Sequence, residues 1–351
     1  MHFNPDLYHK VEQLADFVAS SWDPKMKWMW GEALLGYAMD ELDKENKKTA
    51  YTDFLCQYCD FWAKVNPPVD QSDTTAPGLI TYAMYKRTNK PEYKKLTDKV
   101  LNYIRYEPRL YLDCLNHLGS SSKGKLYPKS VWIDSVMMFS VFTSLYAKET
   151  GDEELLAFSA RQPKQYASMM FNETEGLWSH SYWVKAKKAF PERNLFWGRG
   201  NGWVICAFPM ILDNIGKEHE EAPKIIELFQ KTSEALLSCM NEDYTFNTLL
   251  KYPSYRELSA TALISAGWLH GIRCGYLDRK FLTPAVKAFE ACVEAMKVSE
   301  EGVYMTEISG PTIPLPILPK LGYQMVPLGK NWSYGIASLI FASIEYKRCL
   351  K

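Results

Sequence analysis

The chain has 351 residues, 47% of them hydrophobic, and no low-complexity tract, which is enough for one large core without a forced second domain. Lys+Arg and Asp+Glu both number 41, so nothing steers it toward nucleic acid or an anionic membrane surface. No apolar run approaches the ~18 residues of a membrane span, and Met1-His2-Phe3-Asn4-Pro5-Asp6 lacks the layout of a signal peptide. The expected compartment is therefore the cytoplasm. The eight cysteines are scattered, several within apolar helical patterns, as buried thiols in a reducing compartment would be. Cys56 and Cys59 form a lone C-x-x-C on a predicted helix and read as packing.

Apolar periodicity near 3.6 dominates, and no run alternates convincingly with period two. Twelve helices are expected, in six pairs: 6–21 with 28–43, 48–65 with 76–88, 91–106 with 131–149, 152–171 with 201–215, 222–240 with 258–276, and 281–297 with 332–348. The first member of each pair is amphipathic. The second is apolar nearly all round and rich in small residues, as in Leu258 through Gly267 and Tyr334 through Ala342. A helix apolar on every face belongs inside. Six outer helices alternating with six inner ones describe an all-α (α/α)6 barrel, a single domain over 1–351, with an ordinary α-solenoid as the rival. Long connections (107–130, 172–200, 241–257 and 298–331) lead into inner helices, and short ones lead out. In a double ring the long ones share one end, where functional residues are expected.

Trp197-Gly198-Arg199-Gly200-Asn201-Gly202-Trp203 reads as a loop entering a buried segment. Arg199 offers a planar fork for a carboxylate; Trp197 and Trp203 offer flat faces for a sugar ring. Asp134 stands alone among apolar neighbours near the start of an inner helix. It is either a first-turn aspartate favoured by the helix dipole or a desolvated general acid. Asp73, before Thr74-Thr75-Ala76-Pro77-Gly78, is either an Asx-turn residue or a second carboxylate that would share a proton with Asp134. His180 and His117 sit in loops at the same end. Ser259 and Thr261 at a helix start form either an anion cradle or plain capping. Trp30 either stacks on a ring or fills the core. No cluster has metal spacing and no phosphate loop appears, so no metal or cofactor is expected.

Taken in order, these pieces resemble the unsaturated rhamnogalacturonyl hydrolases of glycoside hydrolase family 105, with the unsaturated glucuronyl hydrolases of family 88 as close relatives. The matching stretches are Trp28-Met29-Trp30-Gly31, Asp73 through Gly78, Val131 through Asp134, His180-Ser181-Tyr182, Trp197 through Trp203, Glu257 through Ala262, and Tyr334-Gly335. The resemblance implies an (α/α)6 barrel. It also implies a small oligosaccharide substrate ending in a 4,5-unsaturated uronic acid, whose double bond is protonated and hydrated so that the rest of the saccharide is released. It implies Asp134 as general acid, Asp73 as its partner, Arg199 and Trp203 binding the unsaturated sugar, His180 near its ring, and Ser259 and Thr261 near its carboxylate. Segments 110–130 and 307–331 differ from the rhamnogalacturonan enzymes and would border the leaving sugar, which the sequence leaves open. A sugar-binding toroid without turnover is the alternative, and it would have Asp134 as an exposed cap distant from Arg199. Another alternative is an ordinary glycosidase or epimerase, which needs a second placed carboxylate or paired histidines.

Overall fold

A computed structural model describes residues 1–192 and 194–351. The main helices, in chain order, are α1 (Pro5–Ser21), α2 (Trp30–Asn46), α3 (Thr52–Val65), α4 (Gly78–Thr88), α5 (Pro91–Tyr106), α6 (Val141–Thr150), α7 (Glu153–Met170), α8 (Gly198–Ile215), α9 (Ala222–Leu237), α10 (Leu258–Cys274), α11 (Leu282–Glu294), the short α12 (Pro319–Gln324) and α13 (Ser333–Leu350). Helices α2, α4, α6, α8, α10 and α13 each pack against the next, and α13 returns to α2, which closes an inner ring. Helices α1, α3, α5, α7, α9 and α11 surround it. This is the (α/α)6 toroid expected from the pattern.

The two rings differ for the reason visible in the residues. In α5 only Tyr93, Leu96, Thr97, Val100, Leu101 and Ile104 are buried, at the three-and-four spacing of one helix face. In α10 every residue from Leu258 to Ile272 is buried. The short returns are set by single residues. Gly151 ends α6 in the left-handed region, and Asp152 then caps α7 by accepting from the Leu155 N–H at 3.0 Å. Among the described residues no helix is long and apolar enough to cross a membrane.

Two sequence expectations change. The predicted helix 131–149 begins instead as a strand. Ser130–Trp132 (β1) pairs antiparallel with Ser181–Trp183 (β2), which pairs with Lys188–Phe190 (β3). A turn at Ile133-Asp134 and a π-helical turn at Val136–Ser140 then lead into α6. Such wide turns cluster at functional sites. Trp197 through Trp203 is not a loop: Trp197 precedes the first residue of α8, and the rest forms its first two turns. A Cβ on Gly198 would lie 2.4 Å from the Asn247 carbonyl oxygen, so the glycine there serves a close approach between backbones.

Candidate active site

The long connections open at one end of the ring, around a cavity of about 260 Å³. Its wall includes Trp30, Asp73, His117, Asp134, Trp197 and Arg199, six of the ten residues singled out in the sequence. The β1–β2 register brings the chemistry together. Ile133 donates its N–H to the His180 carbonyl at 2.9 Å, and Asp134 follows directly. His180 Nε2 consequently faces Asp134 Oδ2 at 3.3 Å. On its other side His180 Nδ1 meets the Tyr323 hydroxyl at 2.8 Å, and the imidazole stacks on Trp197 with 4.3 Å between centroids. On the opposite wall His117 Nε2 lies 3.4 Å from Asp73 Oδ1, and its Nδ1 meets Ser135 Oγ at 2.9 Å. That ring stacks on Trp132 at 4.4 Å.

The two aspartates are pushed in opposite directions. Burial, reinforced by the negative charge of Asp134, raises Asp73 from 3.8 to about 8, with Lys123 opposing weakly. Burial also works against the charge of Asp134, but His180 beside it and His117 beyond hold it below the ordinary carboxylate range. Burial lowers His117 to about 4, so this imidazole is neutral at pH 7. Burial and the neighbouring charge thus favour the protonated form of Asp73, and the imidazoles favour the ionised form of Asp134. A third carboxyl, Glu32, also lines the cavity and is raised by burial.

Arg199 is fully buried, with its guanidinium between the rings of Trp197 (4.8 Å) and Tyr334 (4.7 Å). Its Nη1 donates to the Ser309 carbonyl and hydroxyl, at 2.9 and 2.8 Å. Its Nη2 donates to the Gly310 carbonyl at 2.9 Å and the Thr312 hydroxyl at 3.1 Å. Glu257, 3.7 Å away, is its buried counter-charge. The fork expected to meet a substrate carboxylate is therefore spent on strap 309–312. That strap is held on its other side by pairing of Ile308–Ser309 (β4) with Leu328–Gly329 (β5).

Four expected contacts lie behind the wall. Trp203 is fully buried and meets Trp30 edge-on at 5.8 Å, so it braces that ring from behind; the stacked pair on the cavity is Trp30 and Tyr334, 4.5 Å apart. His180 reaches the cavity only through Asp134. Ser259 and Thr261 are buried and turned inward. Ser259 Oγ donates to Glu257 at 2.6 Å, and Thr261 Oγ1 donates to the Glu257 carbonyl at 2.9 Å while accepting from the Phe246 N–H at 3.0 Å. Glu257 itself caps α10 by accepting from the Ser259 and Ala260 N–H groups, so the capping alternative describes this helix start. Wall residues not singled out include Glu32, Gln71, Lys123, Trp132, Thr312 and Tyr334. Tyr334 carried a signal, a lone aromatic hydroxyl beside Gly335 at the head of an apolar helix. Thr312 carried none, since the strap has no periodicity.

The distant sequence neighbours Asp213, His270 and Cys274 also meet, at the lower end of the ring, with ligand atoms within 4.8 Å of one another. His270 Nε2 and Asp213 Oδ2 there form an ion pair at 2.8 Å.

The family model for Glycosyl Hydrolase Family 88 matches residues 8–350. The chain belongs to that family. It is 27% identical over 217 residues to an unsaturated 3S-rhamnoglycuronyl hydrolase of Alteromonas sp. (strain LOR), covering 60% of this chain and about half (51%) of that relative. It is 22% identical over 340 residues to the unsaturated rhamnogalacturonyl hydrolase YesR of Bacillus subtilis, covering 95% of both. Among solved structures, a possible member of the GH105 family from Salmonella enterica serovar Paratyphi A superimposes with a TM-score of 0.87 at 20% identity. That match covers 99% of this chain and 95% of the other, and it supports the toroid independently of the helix pattern.

Proposed function

We propose that this family 88 chain hydrates the 4,5-double bond of a terminal unsaturated uronic acid on short lyase-generated oligosaccharides. In this reading the terminal sugar lies against the Trp30–Tyr334 pair, with Trp132 and Trp197 on the flanking walls. The buried Arg199 supplies positive charge to the uronate through the field at the cavity floor, not through its fork. The names of the relatives in Alteromonas and Bacillus support the same substrate class.

The observation that carries the reading is the placement of Asp73 and Asp134 together in the wall of one aromatic-lined cavity, with opposite leanings toward the proton. The vinyl ether of the unsaturated sugar takes that proton at C4. The π electrons form the new C4–H bond, and the charge left at C5 is shared with the ring oxygen. Asp134 is the member that faces the sugar and delivers the proton, with Asp73 as the store that resupplies it. Entry of the anionic uronate raises the affinity of both carboxyls for a proton, which favours the transfer. Water then adds at C5 and gives its proton to the carboxylate pair, which returns to its starting state. The hemiketal opens, and the exposed C1 hemiacetal releases the remaining saccharide. His180, fixed by Tyr323 and Trp197, keeps Asp134 oriented and ready to ionise. The eight free thiols support a reducing compartment, and we assign the enzyme to the cytoplasm on that ground.

Lyase digests followed at the ultraviolet absorbance of the unsaturated sugar test this reading. Wild type should bleach at least one digest. Asp134→Asn should lower kcat by about 10²–10⁴-fold, the range that general acid–base groups contribute. Unchanged absorbance across all digests would refute it.

A further inference from the structure

Asp213, His270 and Cys274 take no part in the cavity assigned to the sugar. Among the described residues they are the one trio of His, Cys, Asp or Glu side chains whose ligand atoms all lie within 4.8 Å of one another. His270 and Cys274 stand one turn apart on the same face of α10, and Asp213 comes from the last turn of α8. That turn lies about 20 Å along α8 from Arg199, at the rise of a helix. The sequence conceals the group, because its only regular spacing is a single H-x-x-x-C pair and the carboxylate is remote in the chain. The end of α10 is firmly placed. Gly275 follows Cys274 with φ 75°, the Tyr276 N–H donates to the Gly271 carbonyl at 2.8 Å, and Lys217 Nζ donates to the Cys274 carbonyl at 2.7 Å.

The distances suit a metal ion. A tetrahedral ion with bonds of ~2.0–2.3 Å holds its ligand atoms about 3.3–3.8 Å apart. Cys274 Sγ lies 3.5 Å from Asp213 Oδ1. His270 Nε2 lies 2.8 Å from Asp213 Oδ2, a gap that a small side-chain movement widens. The other ring nitrogen, His270 Nδ1, lies 3.8 Å from Glu345 Oε1, and Glu345 is itself held by Arg273 at 2.8 Å. A carboxylate in that place is what orients a metal-bound imidazole. Asp213, His270 and Glu345 line a second cavity, of about 280 Å³, so a coordination position can be reached from solvent. The ligands also sit at the carbonyl ends of two helices, whose dipoles favour a cation there.

We propose that the Asp213 carboxylate, His270 Nε2 and Cys274 Sγ bind one zinc ion that joins the ends of α8 and α10, with its fourth position open to this lower cavity. A thiolate, an imidazole and a carboxylate together suit Zn²⁺, whereas Mg²⁺ and Ca²⁺ take oxygen ligands. The ion replaces the protons now shared among these groups. Without it the same side chains pair with one another, so the ring closes either way.

The test titrates the full chain, freed of metal by a chelator and kept reduced, with Zn²⁺ alone and separately with Co²⁺ alone. Wild type should take up one Zn²⁺ per chain and melt at a higher temperature with it than without it. Co²⁺ should produce the near-ultraviolet charge-transfer band of a thiolate–cobalt bond. In Cys274→Ala that band should vanish and the melting shift with Zn²⁺ should be lost. Cys274→Ser, which keeps a hydrogen-bonding group beside Asp213, should lose the band as well and guards against a variant that fails to fold. Glu345→Gln leaves all three ligands in place and should weaken Zn²⁺ binding about 10- to 100-fold. Wild type without affinity for Zn²⁺, a Co²⁺ complex without the thiolate band, or equal Zn²⁺ binding by wild type and both Cys274 variants would each overturn the proposal.

Discussion

At Asp134 a buried position and two imidazoles pull against each other, and the imidazoles prevail, whereas Asp73 has only a neutral His117 and the Lys123 ammonium to offset its burial. The acid-competent form of the site therefore exists below about pH 8, and kcat/KM should fall as pH rises through that value. In Asp73→Asn the like charge is gone, Asp134 keeps its lowered affinity for a proton, and this alkaline limb should move to lower pH. Initial rates between about pH 5 and 9.5 check both statements; a limb unmoved by Asp73→Asn would contradict them. The same shift predicts a stability effect. Asp73 keeps a proton in the folded state that the unfolded chain loses above 3.8, so stability declines as pH rises from about 4 to 8. Asn has no such dependence, and the melting temperature of Asp73→Asn should gain on wild type across that window. In the sequence, Asp134 could be singled out because it stands alone among apolar neighbours, and Asp73 because it precedes the head of an inner helix. Which of them holds the proton could not be read. That depends on His180 and His117, brought in by strand register and loop closure from positions remote in the chain.

At the scale of elements, the sequence pattern located both partners of every helix pair but misjudged several helix starts, two of them at the site and for different reasons. The apolar run from Val131 is continuous because it passes from a buried strand into a buried helix, and periodicity does not distinguish the two. The glycines at 198, 200 and 202 suggested a loop, yet they lie in helical backbone because neighbouring chain leaves no room for side chains. Gly198→Ala should accordingly destabilise the fold by about 1–3 kcal/mol, as overpacking does. Chemical denaturation measures this directly, and a variant as stable as wild type would show that the α8–Asn247 approach can relax. The strap 307–331 was illegible as structure, since its order comes from Arg199 and from β4–β5 pairing and not from any local pattern.

For the whole molecule, ring closure separates two ends with different tasks. The cavity end gathers the long connections, and the other end is fastened by ion pairs. His270 there meets Asp213 at 2.8 Å and lies 3.8 Å from Glu345, itself held by Arg273 at 2.8 Å. Burial alone would lower His270, but Glu345 and Asp213 together raise it to about 9. Its contribution to stability is full below about 6.5 and lost as pH rises through 9. His270→Ala should cost about 1.5–3 kcal/mol at pH 6, because it removes a charged hydrogen bond to Asp213, and distinctly less at pH 9.5. The toroid was legible because helices apolar on all faces can only form an inner ring, a property of composition that survives wide sequence divergence. The form of segments 110–130 and 307–331 was not, because it is set by tertiary contacts such as Tyr127 to the Pro314 carbonyl and Arg199 to Ser309 and Gly310. The reaction itself can be followed in deuterium oxide by nuclear magnetic resonance. Hydration by the aspartate pair predicts one solvent deuterium at C4 of the released sugar, together with loss of the ultraviolet absorbance. Release of the saccharide with the double bond intact and no deuterium at C4 would contradict it.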